Sequence, residues 1–481
     1  MRRYALSALW LSFAGVPGLL AAQGFGIYEQ GTCAMGRAGT GVAAPCPDGS
    51  ALFFNPAGLA GLKGGHATIG VTLINVDGGF TDDILQRTSD LNDPLIALPQ
   101  VYVSYAATPK LGIGVGLFAP YGLQTEWPLS FDGRFAGYKN IIRSVYIQPT
   151  VAYQVTPWLS LGAGLDIVRG SVELNQRLDL AEAPVPILPP PPGAPPFVFG
   201  QFGIAPGTDF ANTHLEASKT TVTAHWGGII KINDKLSIGG RYLMHAKFDY
   251  SGTATFSQVA TNLIVPADIP VAPGLRIPAG CPIDALVSAP VPACGLGLDL
   301  FNATTGLLKS QTVTTSLTNP EQVVFGLAYK PRSDWTLFGD YQFTRWGKRF
   351  SVLNLNFANP LLNRVLYERY RNTNGFRVAA EWAKDAKWTL RGGYLYHQGA
   401  APPQTVTPLL PEGNRNEFTG GVTVKLAPHF TADLAVQYVW QQDRRGRTRE
   451  PIFNQVPTTG LNTGVYNLYA ELFGLSLSYT F

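Results

Sequence analysis

The sequence predicts an all-β protein, a 14-stranded antiparallel transmembrane β-barrel with an N-terminal hatch (plug) inside its lumen. Three observations predict it: a secretory leader, a series of segments in which apolar and polar residues alternate, and connections that are short and long by turns. The chain divides accordingly into a signal peptide over 1–22, a hatch over 23–64 and the barrel over 65–481.

Met1-Arg2-Arg3 is a short basic start, Tyr4 to Leu20 is mostly apolar, and Ala21 and Ala22 are small. That order is a secretory signal with cleavage expected near Ala22. A membrane-anchoring helix is the other reading, but no basic stop-transfer cluster follows. Beyond the leader, no apolar run reaches the roughly 18 residues that a spanning helix needs. Charged residues make up only 14% of the chain and aromatics 11%, which suits half-buried strands or a transmembrane barrel. The net charge of +4 is small and its basic residues are scattered, so nucleic acid is not expected as a partner.

The segment over 23–64 is rich in small residues, as in Gly36-Arg37-Ala38-Gly39-Thr40-Gly41, and runs into Phe53-Phe54-Asn55-Pro56-Ala57-Gly58-Leu59. Asn55 before Pro56 is a helix-start signature, because Asn caps free N–H groups and Pro pre-sets the first helical φ. Too short and glycine-rich to fold alone, the segment needs a surface to fold against, and the lumen of a barrel offers one. Arg37 has little local company there. A grip on Asp340, Glu381 or Asp433 through two parallel hydrogen bonds would anchor it.

From Gly65 onward, alternating segments fall near 65–80, 98–108, 110–124, 138–156, 158–176, 213–231, 235–257, 310–330, 334–350, 365–383, 387–399, 415–427, 429–442 and 465–481. Trp335, Leu337, Tyr341 and Phe343, for example, alternate with Thr336, Asp340, Gln342 and Thr344, giving each strand one apolar and one polar face. A soluble sandwich shares that period. The connections decide: tight turns at Thr108-Pro109-Lys110, Thr156-Pro157-Trp158, Asn233-Asp234, Pro331-Arg332-Ser333, Lys384-Asp385 and Pro428-His429 take turns with longer loops, the layout of an outer-membrane barrel. Two long loops stand out. Residues 178–212 hold the proline-dense run Pro184 to Pro196, and 258–309 are unusually apolar, which fits either a ligand-catching surface or a lid of loops packed on one another. The last strand alternates Phe473, Leu475, Leu477, Tyr479 and Phe481 with small or polar residues, resembling the C-terminal signal that barrel-assembly machinery reads at Phe481.

Four cysteines allow three connectivities. Exported context and local spacing favour Cys33 with Cys46 and Cys281 with Cys294, as loop staples. Neither pair has CxxC spacing, so no metal is expected, and no cofactor.

The start Gln23-Gly24-Phe25, the Gly36-Arg37-Ala38 step, Asn55-Pro56-Ala57 and the stretch Tyr121-Gly122-Leu123-Gln124-Thr125-Glu126-Trp127 together resemble the FadL/TodX family of outer-membrane transporters of long-chain fatty acids and aromatic hydrocarbons. The resemblance implies a channel in the outer membrane of a Gram-negative-type bacterium that takes up such ligands, among outer-membrane lipid and lipopolysaccharide. It implies a hatch carrying Phe25, Arg37, Asn55, Pro56 and Ala57. It also implies lateral diffusion of cargo through a wall opening at the third strand, at Gly116, Pro120, Tyr121 and Gly122. Glycine and proline mark bends, and proline cannot donate to the ladder, so a kink at Pro120 is chemically open. The cysteines and the proline-rich loop depart from the pattern and leave fatty acid against aromatic hydrocarbon open.

An enzyme is not expected. His245 and His397 have inward parity, but no motif ties either to a nucleophilic serine, and Gly112-Ile113-Gly114-Val115-Gly116 lacks the strand-turn-helix setting of a nucleotide loop. The rival is a gated porin for small polar solutes, its pore lined by inward Asp166, Arg241, Lys247, Asp249, Asp340, Glu381, Arg391, Lys425 and Asp433.

Overall fold

The computed structural model describes residues 24–92, 94–185, 197–272, 275–287, 294, 299–451 and 455–481. The expected signal peptide and most of the proline-dense run, Pro189-Pro190-Pro191-Pro192 included, lie outside the described residues.

Fourteen strands close into a ring. They are β1 (Gly65–Asp82), β2 (Ile96–Ala106), β3 (Leu111–Glu126), β4 (Lys139–Thr156), β5 (Leu159–Leu178), β6 (Ala211–Lys231), β7 (Leu236–Leu243 and Ala246–Gln258), β8 (Gln311–Asn319 and Gln322–Arg332), β9 (Trp335–Thr344), β10 (Thr373–Ala383), β11 (Trp388–His397), β12 (Arg415–Ala427), β13 (Phe430–Gln441) and β14 (Gly464–Thr480). Each is antiparallel to the next, and β14 returns to β1 from His66↔Thr480 to Asp82↔Gly464. Closure pairs the backbone groups that an open edge would leave bare in lipid. The two faces separate as the alternation requires. Phe473, Leu475 and Leu477 are 43–52% exposed on the outside, whereas Gln148, Asp166 and Gln342 are fully buried within.

The structure corrects four expectations about the strands. The ninth segment, read as 334–350, ends at Thr344, and Trp346–Arg349 forms a helical turn. The tenth, read from 365, begins at Thr373, and Arg364–Tyr367 instead pairs with Val352–Phe357 in an outer hairpin. Lys247 and Asp249 do not face the lumen; their side chains are 58% and 67% exposed and pair with each other at 2.9 Å. Met244-His245 interrupts β7, so buried positions are odd before it (Arg241, Leu243) and even after it (Ala246, Phe248, Tyr250). One such break moves every later side chain to the other face. Lys425 is likewise exposed, near the tight-turn end of β12.

Residues 24–62 lie inside the ring, bonded to strands all round it. Ala38 N–H donates to Thr419 on β12, Gly41 and Val42 N–H to Asp340 on β9, and the Asn55 side chain to backbone carbonyls on β6 and β7; Thr68 on β1 donates to the Asp48 carbonyl. Two short helices, α1 (Thr32–Met35) and α2 (Ala51–Phe54), and a tight turn at Pro56–Leu59 fill the space, and a disulfide joins Cys33 to Cys46. Wall glycines make the fit possible. A Cβ on Gly239 would lie 2.0 Å from the Val42 carbonyl oxygen, one on Gly227 2.1 Å from Asn55 Oδ1, and one on Gly162 2.4 Å from Ala57 N. These glycines let the backbone of the inner segment and the Asn55 amide lie directly on the backbone of the wall.

The second disulfide, Cys281–Cys294, lies in the long connection between β7 and β8. Phe199, Phe202 and Phe210 of the β5–β6 connection pack there against Val265, Ile283 and Leu286 of the β7–β8 connection. The apolar loops therefore bury their side chains against one another, the lid arrangement.

Gly239→Ala should leave the barrel folded and push Val42 off the wall. Overpacking of this kind costs about 1–3 kcal/mol. The expected outcome is a lower melting temperature together with raised ion conductance in planar bilayers, and an alanine variant indistinguishable from the parent in both would show that the inner segment has slack.

Candidate functional site

Asn55 is the best-held polar residue of the inner segment. Its Oδ1 accepts from Ala57 N–H at 3.1 Å, the cap that the Asn-Pro signature predicts, while Nδ2 donates to Val42 at 2.6 Å, Gly228 at 3.1 Å and Gly240 at 3.3 Å. Pro56 takes the first position of the turn, and Pro56 and Ala57 are buried against Gly162. Arg37 differs from expectation. No paired carboxylate grip forms; Glu381 is a single contact at 3.7 Å. The guanidinium instead donates to the carbonyls of Thr40 (2.9 Å) and Ala44 (2.7 Å) and sits 4.5 Å over the Phe338 ring. Arg37 thus ties the glycine-rich run to itself, and the backbone contacts to Asp340 do the anchoring. Asp433 is engaged by Thr423 and, at 3.5 Å, by Arg391. Arg241 donates to the Phe53 carbonyl at 2.8 Å. Most of the inward charges expected to line a pore therefore hold the inner segment or one another; Asp166, buried and without a hydrogen-bond partner, is the exception.

The third strand departs from regular pairing where Pro120 predicts it. Phe118 opposes Tyr146 and Tyr121 opposes Ser144, so β3 carries one residue more than β4 across the step, a bulge. On its other side β3 pairs with β2 only from Val101↔Leu117 to Ala106↔Gly112. Beyond Leu117 the two strands part, and β2 from Ile96 to Gln100 keeps β1 as its only ladder partner. The bare edge of β3 is not left unpaired. Ile27 N–H donates to Pro120 at 2.9 Å, Gly122 N–H donates to Phe25 at 3.0 Å, and the Gln30 side chain both donates to and accepts from Ala119 at 2.9 Å. The start of the inner segment takes the place of β2. Gly116 lies outside the bend: it keeps regular pairs on both sides, and its missing side chain makes room for the Tyr102 ring.

Aromatic packing fixes this junction. Phe25 lies 4.7 Å from Trp346, 5.5 Å from Phe350 and 6.2 Å from Tyr121, each edge to face. The Tyr121 hydroxyl donates to Pro320 at 2.7 Å and accepts from Gln322 at 2.8 Å. Sequence reading names Phe25 and Tyr121 separately and misses Trp346 and Phe350, which fall within the segment read as the ninth strand but belong to a helical turn and its end.

Behind the gap lies a cavity of about 320 Å³. Ile27, Leu98, Phe118, Tyr121, Ile142 and Leu472 line it from the lumen, and Ala97, Pro99 and Val145 from the outward face of the wall. Its polar end is made by Glu29, His397, Glu412, Arg415 and Glu417. Gln437 bridges Glu29 (2.8 Å) and Glu417 (2.6 Å), and Glu417 meets His397 at 3.1 Å. Glu412, in the connection between β11 and β12, accepts from Gly24 and Ala401 N–H at 2.5 Å each. Burial holds its carboxyl above the usual carboxylate range, opposed by those two N–H groups. Trp127 Nε1 donates to Pro408 at 3.0 Å, joining the β3–β4 and β11–β12 connections. The arrangement is an apolar cavity closed at one end by hydrogen-bonded polar side chains.

Comparison with known proteins fits this geometry. A family model described as outer membrane protein transport protein (OMPP1/FadL/TodX) matches residues 14–481. Outer membrane protein P1 of Haemophilus influenzae is 24% identical, with all of both chains covered, and the long-chain fatty acid transport protein of Salmonella typhi is 22% identical over 99% of each. Among solved structures, a Pseudomonas aeruginosa FadL homologue superposes with a TM-score of 0.73 at 20% identity, covering 95% of this chain and 100% of its own. The Pseudomonas putida toluene transporter TodX gives a TM-score of 0.64 at 17% identity, covering 96% and 99%. An outer-membrane barrel with its wall parted at the third strand over an apolar cavity, matched by that model along nearly its whole length, belongs to the OMPP1/FadL/TodX family of outer-membrane transport proteins.

Proposed function

We propose that the cavity receives a hydrophobic small molecule from the outer face and that the gap beside β3 releases it sideways into the outer membrane. One observation carries the reading. The cavity is lined at once by inward side chains such as Leu98 and Phe118 and by outward ones, Ala97, Pro99 and Val145. An unbroken wall keeps those two sets on opposite sides. The cargo class follows from the lining and from relatives named for long-chain fatty acids and for toluene. Movement from cavity to bilayer needs no energy source, since each CH₂ kept out of water is worth about 0.8 kcal/mol, and the same term disfavours release into the aqueous periplasm.

In this reading residues 23–64, freed by cleavage of the signal over 1–22, act as a hatch that closes the lumen to ions and polar solutes. Phe481, which follows β14 and whose ring stacks on Tyr479 at 5.8 Å, serves the assembly machinery as its recognition residue.

Two measurements test the proposal. The protein in planar bilayers should show almost no steady ionic current; an open, porin-sized current would favour passage of polar solutes instead. Ala97→Trp places a bulky ring at the outward mouth of the gap without touching the inner segment. It should fold normally and slow uptake of apolar cargo roughly tenfold, the effect of about 1.4 kcal/mol added to the barrier. Assays with a long-chain fatty acid and with toluene in parallel show which cargo is carried, and unchanged uptake of both would favour a route straight down the lumen.

A further inference from the structure

The outer surface of β4–β6 carries two arginines to which the proposed transport assigns no role. On β4 the outward row runs Val155, Tyr153, Val151, Ile147 and Val145, and on β5 it runs Leu161, Leu165 and Ile167, each 37–51% exposed. Both rows end at an arginine, Arg143 after Val145 and Arg169 after Ile167, and both arginines are exposed. The stretch from Val155 to Val145, at about 3.4 Å per residue and a tilt near 45°, rises about 25 Å, the height of the apolar band of such a barrel. The tight turn at 157–158 marks its periplasmic end. Arg169, opposite Val145, therefore stands at the upper edge of the band and Arg143 just above it, at the level of the outer-leaflet headgroups.

Their neighbours are hydroxyls. Val145 pairs with Arg169 and Arg143 with Ser171, so the arginines occupy diagonal positions on one face; Arg169 pairs onward with Thr220 and Ser171 with Ser218. Arg169 donates to Ser218 Oγ at 2.5 Å and, weakly, to Thr220 Oγ1 at 3.4 Å. Neither arginine has a carboxylate partner among the described residues. Among the acids on this side of the wall, Glu126 and Glu173 lie against Lys139, Asp249 against Lys247, and Glu216 3.8 Å from His214. Two guanidinium forks ringed by three hydroxyls, with no carboxylate paired to either, are the chemistry of phosphate binding. At that depth and on that face, the phosphate comes from lipid.

We propose that Arg143 and Arg169, with Ser171, Ser218 and Thr220, bind a lipid A phosphate of lipopolysaccharide at the outer rim. Arg143 pairs with Gly122 of the bent strand and lines the cavity, so the bound headgroup stands at the edge of the gap. Its acyl chains then lie along Val145, Ile147 and Ile167. The site is independent of which cargo the barrel carries.

The test is lipid retention by the intact, folded protein in detergent, read by native mass spectrometry with three probes: diphosphorylated lipid A, lipid A stripped of phosphate, and phosphatidylglycerol. The native protein should retain diphosphorylated lipid A about tenfold better than the stripped form. The double variant Arg143→Gln/Arg169→Gln should lose that preference while keeping the heat-modifiable gel mobility of a folded barrel. An undiminished preference in the folded variant overturns the proposal, and so does retention of phosphatidylglycerol by the native protein as strong as that of lipid A. Should the variant not insert, the native protein decides alone: equal retention of the phosphorylated and stripped forms overturns it.

Discussion

An unpaired backbone N–H or C=O costs several kcal/mol in hydrocarbon, and that penalty governs both the regular wall of this barrel and its parting beside the cavity. Around most of the ring the obligation is met by the next strand. At β3 it is met from inside. Past Leu117 the strand turns away from β2, and the N–H and carbonyl groups of residues 119–122 find Phe25, Ile27 and Gln30 of the inner segment instead. A wall can part in a membrane only if something else satisfies the edge it exposes. Here the inner segment supplies that edge partner, so the gap and the segment form one structural device.

The same segment dictates composition elsewhere. Packing backbone on backbone requires that one side lack a Cβ, and the wall meets it with inward Gly162, Gly227 and Gly239 against Ala57, Asn55 and Val42. Asn55 completes the seat. A single amide caps its own turn and reaches the carbonyls of two neighbouring strands. Polar side chains inside the barrel are consequently spent on holding rather than on lining a water-filled pore, as Asp340 and Arg241 show.

Strand number, the short-turn rim and the bend at Pro120 were legible in the sequence because each follows from local chemistry: period-two alternation, turn residues, and a proline that cannot donate. The facing of side chains was legible only up to the first interruption. Lys247 and Asp249 were assigned inward because Met244-His245 breaks β7 with residues that carry no glycine or proline signal. Arg37 was assigned a carboxylate partner since its true acceptors, the carbonyls of Thr40 and Ala44, depend on a tight local fold that glycine-rich sequence does not specify. The seating glycines and the Phe25–Trp346 contact were hidden for another reason. They join residues between about a hundred and three hundred positions apart, and neither member shows by its own pattern what it will meet.

These contacts bear on what must move during the proposed transport. If displacement of the inner segment opened the exit, its first residues would have to leave Pro120 and Gly122, and the bent strand would then face lipid with the unpaired groups that the bend now avoids. The Phe25 cluster with Trp346, Phe350 and Tyr121 would be lost in the same step. The β2 side has no such contacts to break. Residues Ile96 to Gln100 are already held by β1, and their edge toward the gap has no ladder partner to lose. Motion that admits cargo to the bilayer is therefore cheapest at β2 and at the side chains of Ala97, Pro99 and Val145. The inner segment remains in place as the fixed wall of the exit.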